Sequence, residues 1–172
     1  MAITFTTTLE IIQGVPLLRL PKEASALLPT RGMAMAEGAI GGGTFALPLE
    51  PDGLGSHFIP LPPEAYAAAG IREGESLRLQ LTPTDKWPEP PVPAQWRQAL
   101  EEAGLIDRWE SITVKARWEW LRWIRAAMSP VTRDKRVTVG ISKLQSGMNR
   151  PCCFNAASCT LPEISRGGKL LK

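Results

Sequence analysis

The chain has 172 residues, of which 44% are hydrophobic and 22% charged, so it can bury a core and wholesale disorder is excluded. It has a formal net charge of +3, one histidine and three cysteines. No apolar run approaches the roughly 20 residues that span a bilayer, and the N-terminus lacks the features of a signal peptide, so we expect a cytoplasmic protein without a membrane partner.

Charge and tryptophan content divide the chain into two halves. Residues 1–86 carry six basic and nine acidic side chains, a net charge of −3. Residues 87–172 carry fourteen basic and eight acidic side chains, a net charge of +6. All six tryptophans lie between positions 87 and 123. The composition therefore predicts a boundary near Lys86.

A weak internal repeat organises the first half. VPLLRLPKEASALLPTRGMAMAEG (15–38) parallels FIPLPPEAYAAAGIREGESLRLQL (58–81). In each copy a strand-like run ends at a proline, Pro21 or Pro62, which also sets φ for a first helical turn. A short alanine- or leucine-rich segment and a glycine follow, and then an alternating stretch that is typical of a half-buried strand. Each copy predicts a strand, a short helix and a second strand.

Two further strands complete the first half. One is the N-terminal ITFTTTLE, and the other contains the alternating Phe45, Leu47 and Leu49. The glycine run before Phe45 predicts a β-turn, because it lacks the Lys-Ser/Thr of a phosphate-binding loop and opens no helix. About six strands and two short helices in two similar halves would expose edges as open sheets. We therefore predict an α+β fold with a small split or closed barrel of approximate two-fold symmetry, followed by helices.

The second half predicts four helices after a connector that is rich in proline. Residues 83–93 contain five prolines, which favours an extended segment. Helical patterns cover residues 94–103, 105–112 (LIDRWESI) and 113–128. A fourth helix begins at Pro130, with Ser129 as its N-cap. The predicted organisation is a barrel domain (1–83), a linker (84–93), a helical region (94–147) and an irregular tail packed on the body (148–172).

The third and fourth helices are basic and carry aromatic residues. Trp118 and Trp123 lie partly off the apolar stripe, so basic and aromatic side chains here could bind nucleic acid or another polyanion. A solvated basic face is the interpretation that we favour, because no known nucleic-acid-reading motif is present. The basic residues are Lys115, Arg117, Arg122, Arg125, Arg133, Lys135, Arg136 and Lys143.

Catalytic patterns are sparse. His57 is the single histidine, no G-x-S-x-G motif is present, and a neighbouring Ser56 on a strand would point to the opposite face. A hydrolase that uses His57, with Glu50 or Asp52 as acidic partner, is kept as an alternative. We expect a histidine at a strand end near a turn, no catalytic residue and no cofactor.

The three cysteines lie within PCCFNAASC. Cys152 and Cys153 are adjacent and Cys159 follows after five residues, whereas zinc ligands are often separated by two to four. A zinc site is therefore an alternative that the spacing disfavours. We expect reduced, partly buried thiols that pack the tail onto the body.

The sequence resembles two bacterial families that together cover nearly the whole chain. In the first half, VPLLRLP, GAIGGGTFALPLEPDGLGSHFIPL and IREGESLRLQL are similar to the domain of unknown function 1905. In the second half, VPAQWRQALEEAG and SITVKARWEWLRWIRAAMSPVTRDKRV resemble the YdeI/OmpD-associated (OmdA-like) family, also labelled bacteriocin-protection. Its most specific motif, W-I-x-x-A-x-x-x-x-T-R with one further arginine, is here Trp123, Ile124, Ala127, Thr132, Arg133 and Arg136.

The resemblance implies a split β-barrel of the kind shared with transition-state regulators and antitoxins, with a helical extension. Those relatives bind DNA as dimers of half-barrels, but this barrel half is net negative, so we do not transfer DNA binding. Because no catalytic constellation accompanies the basic, aromatic helical half, we expect a non-enzymatic binding or stress-protection protein of this family type, monomeric or homodimeric, with an unknown small molecule or anion as partner. The candidate ligand-binding residues are His57, Trp118, Trp123, Thr132, Arg133 and Arg136.

Overall fold

The structure is a computed structural model of the chain and describes residues 1–151 and 154–172. The chain forms two compact units. The barrel unit comprises Met1–Trp87, Asn155–Cys159 and Glu163–Lys172, and the helical unit comprises Pro88–Phe154 and Thr160–Pro162. Residues near the C-terminus thus contribute to both units.

The barrel unit contains six long strands and two short helices. They are β1 (Ile3–Ile12), β2 (Val15–Arg19), α1 (Lys22–Ser25), β3 (Ala34–Ile40), β4 (Gly43–Pro51), β5 (His57–Pro60), α2 (Pro63–Ala69) and β6 (Ser76–Pro83). The strands close into an antiparallel barrel in the order β1-β2-β5-β4-β3-β6. Because β1 pairs with β6, no strand of the barrel is left with an open edge. The predicted α+β class and barrel are confirmed.

The barrel topology has the two-fold symmetry that the repeat predicts. The first half runs β1-β2-α1-β3, and the second runs β4-β5-α2-β6. Exchanging the halves leaves the order of strands around the barrel unchanged. The two copies of the sequence repeat correspond to β2-α1-β3 and β5-α2-β6.

Alternating apolar residues of the strands fill the barrel. On the β1–β6 pair, Ile3 lies opposite Leu81 and Phe5 opposite Leu79, and all four are buried. Burial of an aliphatic side chain contributes about 1.5–3 kcal/mol, so this pattern fixes the register of the strands. The polar positions between the buried ones remain exposed.

The glycine run makes the tight turn between β3 and β4. Gly41 and Gly42 have φ of +55° and +87°, which matches a two-residue hairpin loop with both central residues at positive φ. A Cβ on Gly41 would lie 1.7 Å from the carbonyl oxygen of Ala68, so close backbone contact also requires glycine. The predicted β-turn is confirmed.

The helical unit contains the four helices that the sequence predicts. They are α3 (Ala94–Glu102), α4 (Ile106–Ser111), α5 (Val114–Arg125) and α6 (Pro130–Gln145). The Ser129 side chain accepts from the Thr132 N–H and Pro130 is the first residue of α6, as predicted. The helix predicted over 113–128 is too long at its C-terminal end, because α5 ends at Arg125 and Met128 is exposed beyond it. No helix of the described residues is long and apolar enough to cross a bilayer.

Tryptophan rings form the core of the helical unit. The Trp96 and Trp120 rings stack with centroids 6.3 Å apart, and Trp109 meets Trp96 edge to face at 5.6 Å. Trp123 in turn meets Trp120 edge to face at 5.9 Å. Such aromatic pairs contribute about 0.5–1.5 kcal/mol beyond the area that they bury. The concentration of tryptophan in the sequence therefore marks a packed core.

The C-terminal segment adds a short 3-10 helix (Pro162–Ile164) and a hairpin of β7 (Ser165–Arg166) with β8 (Lys169–Leu170). The N–H of Leu170 donates to the carbonyl of Asp52 at 2.9 Å, and Arg19 donates to the carbonyl of Leu171. These bonds tie the end of the chain to the barrel.

Gly140 on α6 is a contact point for this aromatic core. A Cβ there would lie 3.0 Å from the Trp96 ring and 3.4 Å from the Trp123 ring. We predict that Gly140→Val lowers the free energy of unfolding by about 1–3 kcal/mol, because overpacking outweighs the gain in helix propensity. Urea unfolding followed by tryptophan fluorescence measures this. Val139→Ala, at the exposed neighbouring position, should change stability by less than about 0.5 kcal/mol. Equal stability of Gly140→Val and wild type would contradict the packing.

Candidate functional site

His57 lies at the start of β5 and both of its ring nitrogens are hydrogen-bonded. Nδ1 lies 2.7 Å from Ser25 Oγ, and Nε2 lies 2.8 Å from the carbonyl oxygen of Gly32. Since a carbonyl oxygen only accepts, Nε2 carries the proton and Nδ1 of the neutral ring accepts from the Ser25 hydroxyl. Arg31 donates to Ser25 Oγ at 3.2 Å. These hydrogen bonds join α1, the following loop and β5.

The surroundings of His57 favour the neutral ring. Burial lowers the pKa of His57 below its ordinary value of 6.5, and the charge of Arg31 acts in the same direction. The hydrogen bond to Gly32 and the charges of Asp52 and Glu50 act in the opposite direction without outweighing burial. The ring is therefore neutral at pH 7.

The Ser25–His57 pair has the composition of a catalytic dyad but lacks access to a substrate. Ser25 is 0% and His57 1% exposed. A serine nucleophile has to reach an incoming carbonyl group, and this hydroxyl is sealed inside the barrel unit. Ser56, the neighbour of His57 in sequence, instead donates to the carbonyl of Leu20 at 2.9 Å. The pair is therefore best explained as a buried structural hydrogen-bond cluster that holds α1, the following loop and β5 together.

Four of the predicted ligand-binding residues meet at the corner between α5 and α6. The guanidinium of Arg136 lies 5.4 Å from the centroid of the Trp123 ring and also donates to the carbonyl of Trp123. Arg133 donates to the carbonyl of Ala127 at 3.4 Å. Thr132 makes two hydrogen bonds with Ser129 at this corner. Its N–H donates to Ser129 Oγ, and its own Oγ1 accepts from the Ser129 hydroxyl.

This arrangement gives a structural role to the W-I-x-x-A-x-x-x-x-T-R motif and its further Arg136, here called the tryptophan–arginine motif. The last carbonyls of a helix have no partner within the helix, and cations stabilise the negative end of its dipole. Arg136 satisfies the carbonyl of Trp123 in the last turn of α5, and Arg133 satisfies a carbonyl just beyond that helix. The motif therefore locks α6 against the end of α5.

Trp118, the fifth predicted residue of the helical unit, fixes the proline-rich segment. Its indole N–H donates to the carbonyl of Pro88 at 2.7 Å. Next to Pro88, residues of the segment line an open cavity of about 520 Å³. Such a volume is typical of small-molecule sites. The lining residues are Glu89, Pro90, Val92, Arg97, Trp109, Glu110 and Arg117.

Arg117 is the most constrained charge of this cavity. Its side chain is 12% exposed and forms an ion pair with Glu89, whose side chain is 64% exposed. Nη2 also points to the carbonyls at the end of α4, at 3.2 Å from Ile112 O and 3.5 Å from Glu110 O. Nε is buried without a hydrogen-bond partner in the described part of the chain. The cavity thus contains a rigid cation whose hydrogen bonding is incomplete.

The sequence did not identify this cavity. Arg117 was noted as one basic residue among eight, and its partner Glu89 lies 28 positions earlier in a segment that predicts no regular structure. The one sequence signal near the cavity is the concentration of tryptophan between positions 87 and 123, and Trp109 from this group lines the cavity. His57, in contrast, belongs to the barrel unit and does not line the cavity.

The cysteine alternative is tested only in part. Cys152 and Cys153 lie outside the described residues. Cys159 is buried, and its N–H donates to the carbonyl of Gly168 at 2.7 Å. Among the described residues, no group of three or more His, Cys, Asp or Glu side chains is placed to hold a metal ion.

The comparisons with known proteins divide the chain at the same place as its composition. Residues 5–81 match the family model described as domain of unknown function 1905. Residues 89–147 match the model described as bacteriocin-protection, YdeI or OmpD-associated. The comparison with curated proteins returned no match. The first model covers the barrel strands, and the second covers the four helices, the cavity and the α5–α6 corner.

The buried His57 predicts a loss of stability in acid. An unfolded histidine takes up a proton near pH 6.5, whereas folded His57 does so only at lower pH, so the free energy of unfolding falls as pH drops from about 6.5 to the folded pKa. Each unit of pKa lowering corresponds to about 1.4 kcal/mol. Urea unfolding at pH 7.5, 6.5 and 5.5 measures this slope. His57→Gln should remove the part due to the imidazole, and an unchanged slope in that variant would refute the assignment.

Proposed function

We propose that this chain, which belongs to the domain of unknown function 1905 and the YdeI/OmpD-associated families, is a non-enzymatic binding or stress-protection module with its ligand site in the helical unit. The observation that carries the proposal is the cavity of about 520 Å³ around the nearly buried Arg117. A fixed cation beside apolar walls is suited to binding a small molecule or anion.

The burial of the Ser25–His57 pair and the open cavity support a binding role rather than catalysis. The Ser25–His57 pair is sealed in the barrel unit, whereas the cavity of the helical unit is open. The cavity is lined by arginine, glutamate, proline, valine and tryptophan side chains. Such a lining binds and orients a ligand through charge and apolar contact. The bacteriocin-protection label of the family is consistent with a protein that acts by binding.

Binding of nucleic acid or another polyanion is the second candidate. The observation that favours it is the α5–α6 corner, where the Trp123 ring lies 5.4 Å from the Arg136 guanidinium and 5.0 Å from Lys143 Nζ. An aromatic ring among cations can stack on a base while the charges meet phosphates. This candidate is the weaker one, because Arg133 and Arg136 already donate to backbone carbonyls of the corner.

The binding proposal predicts that a ligand raises the melting temperature. A ligand at one hundred times its Kd stabilises the folded state by about 2.7 kcal/mol, a shift of several degrees for a chain of this size. A thermal-shift screen of small anions, amino acids, nucleotides and short peptides measures this. For each compound that shifts the melting temperature of the wild type, the shift is then measured on the variant Arg97→Gln. Arg97 is an exposed residue that lines the cavity. A screen without any shift would reject the proposal.

The nucleic-acid candidate predicts binding that weakens steeply with salt. Single- and double-stranded DNA and RNA should shift in gels at low salt, and Lys135→Ala should weaken the complex. Lys135 is exposed on α6, so its substitution leaves the corner bonds in place. Arg133→Ala with Arg136→Ala should weaken binding further, and circular dichroism controls for damage to the corner. The absence of any shift at low salt would reject this candidate.

A further inference from the structure

We propose that the cavity of the helical unit binds a small carboxylate, which takes the place of Glu89 on Arg117. This inference rests on the proposed function, since it names the ligand class of the same cavity. It assigns Arg117 as the anchor of the ligand, and Glu89 as an internal carboxylate that competes with it.

Arg117 has the properties of an anchor because its position is fixed independently of Glu89. It extends from α5, and its Nη2 group points to two carbonyls at the end of α4. With its side chain only 12% exposed, the guanidinium requires an anionic partner close by. Arginine binds carboxylates through two parallel hydrogen bonds where the geometry allows. Such a bidentate pair adds both strength and a defined orientation.

Glu89 has the properties of a replaceable partner. Its side chain is 64% exposed, and it lies in a segment without helix or strand. It reaches Arg117 through one carboxylate oxygen, on Nη1, and leaves Nε without an acceptor among the described residues. On release, its carboxylate returns to water, where a charge is stable. The Trp118–Pro88 hydrogen bond keeps the residue before Glu89 in place meanwhile.

The exchange conserves the charge balance around Arg117. One carboxylate leaves and one enters, so the guanidinium is never left buried without a counter-charge. The same exchange with a neutral ligand would break the ion pair and replace it with weaker hydrogen bonds. Charge balance therefore selects a carboxylate over its neutral amide.

The rest of the lining indicates what the remainder of the ligand looks like. Pro90, Val92 and Trp109 provide apolar surface, and Arg97 adds a second cation at an exposed position. Glu110 adds a carboxylate to the lining, so the cavity holds both charges beside its apolar surface. Apolar surface next to the Arg117 anchor favours a carboxylate that carries an aromatic or aliphatic group. A volume of about 520 Å³ accommodates a ligand of that kind.

The test is isothermal titration with sodium benzoate and sodium phenylacetate, and with benzamide and phenylacetamide as neutral counterparts. We expect the carboxylates to bind wild type and the amides to bind at least about tenfold more weakly. Arg117→Gln should weaken carboxylate binding by about tenfold or more. Glu89→Gln should strengthen it by about threefold or more, because the internal competitor is removed.

Glu119→Gln is the matched control, since it removes one negative charge from another ion pair of the helical unit, with Arg150. It should leave carboxylate binding within about twofold of wild type, because Glu119 pairs with Arg150, does not line the cavity, and lies two positions from Arg117 on α5, where side chains do not face each other. Because Arg117→Gln and Glu89→Gln are expected to act in opposite directions, loss of folding in one variant cannot produce the pattern.

The inference is overturned if the amides bind as well as the carboxylates, or if Glu89→Gln does not strengthen carboxylate binding while the variant remains folded. If compounds from the thermal-shift screen bind at the cavity and carboxylates do not, the ligand class is wrong and the binding function stands. If no compound stabilises the protein, the proposed function itself fails.

Discussion

A polar or charged group that is taken out of water has to find a partner within the fold, and this constraint organises the helical unit. Arg117 meets it through Glu89 and the last carbonyls of α4. Arg136 meets it through the Trp123 carbonyl and ring. Leaving such a charge unpaired costs about 3–5 kcal/mol, so each of these arginines determines where a neighbouring segment lies. Arg117 in this way positions the proline-rich segment, and Arg136 positions α6 at the end of α5.

The same constraint distinguishes the His57 cluster from the Arg117 cluster. His57 has both ring nitrogens satisfied and is sealed, so its cluster stabilises the barrel unit and has no capacity left for a ligand. Arg117 is only partly satisfied, and its main partner is largely exposed. A ligand carboxylate in the open cavity can take the place of that exposed partner, which makes Arg117 the better candidate for function.

The fold could be predicted from sequence because its signals are local or repeated. Alternation at Leu77, Leu79 and Leu81 shows a strand, the repeat indicates two-fold symmetry, and Ser129-Pro130 marks the start of a helix. The candidate site could not be predicted in the same way. The pairing of Glu89 with Arg117 joins an irregular segment to a helix, and neither residue belongs to a periodic pattern. Ligand binding by the arginines of the tryptophan–arginine motif stays a prediction. In the structure, Arg136 donates to the Trp123 carbonyl in the last turn of α5, and Arg133 donates to the Ala127 carbonyl just beyond it.

The proposed exchange of Glu89 for a ligand carboxylate on Arg117 can be observed directly. The most direct measurement is a two-dimensional proton–nitrogen NMR titration with benzoate that follows the Nε–H of Arg117 and the indole N–H signals of Trp109 and Trp123. If benzoate replaces Glu89, the Arg117 and Trp109 signals shift together and saturate, while the Trp123 signal at the α5–α6 corner stays in place. Shifts confined to Trp123, or none at Arg117 up to saturating benzoate, would contradict it.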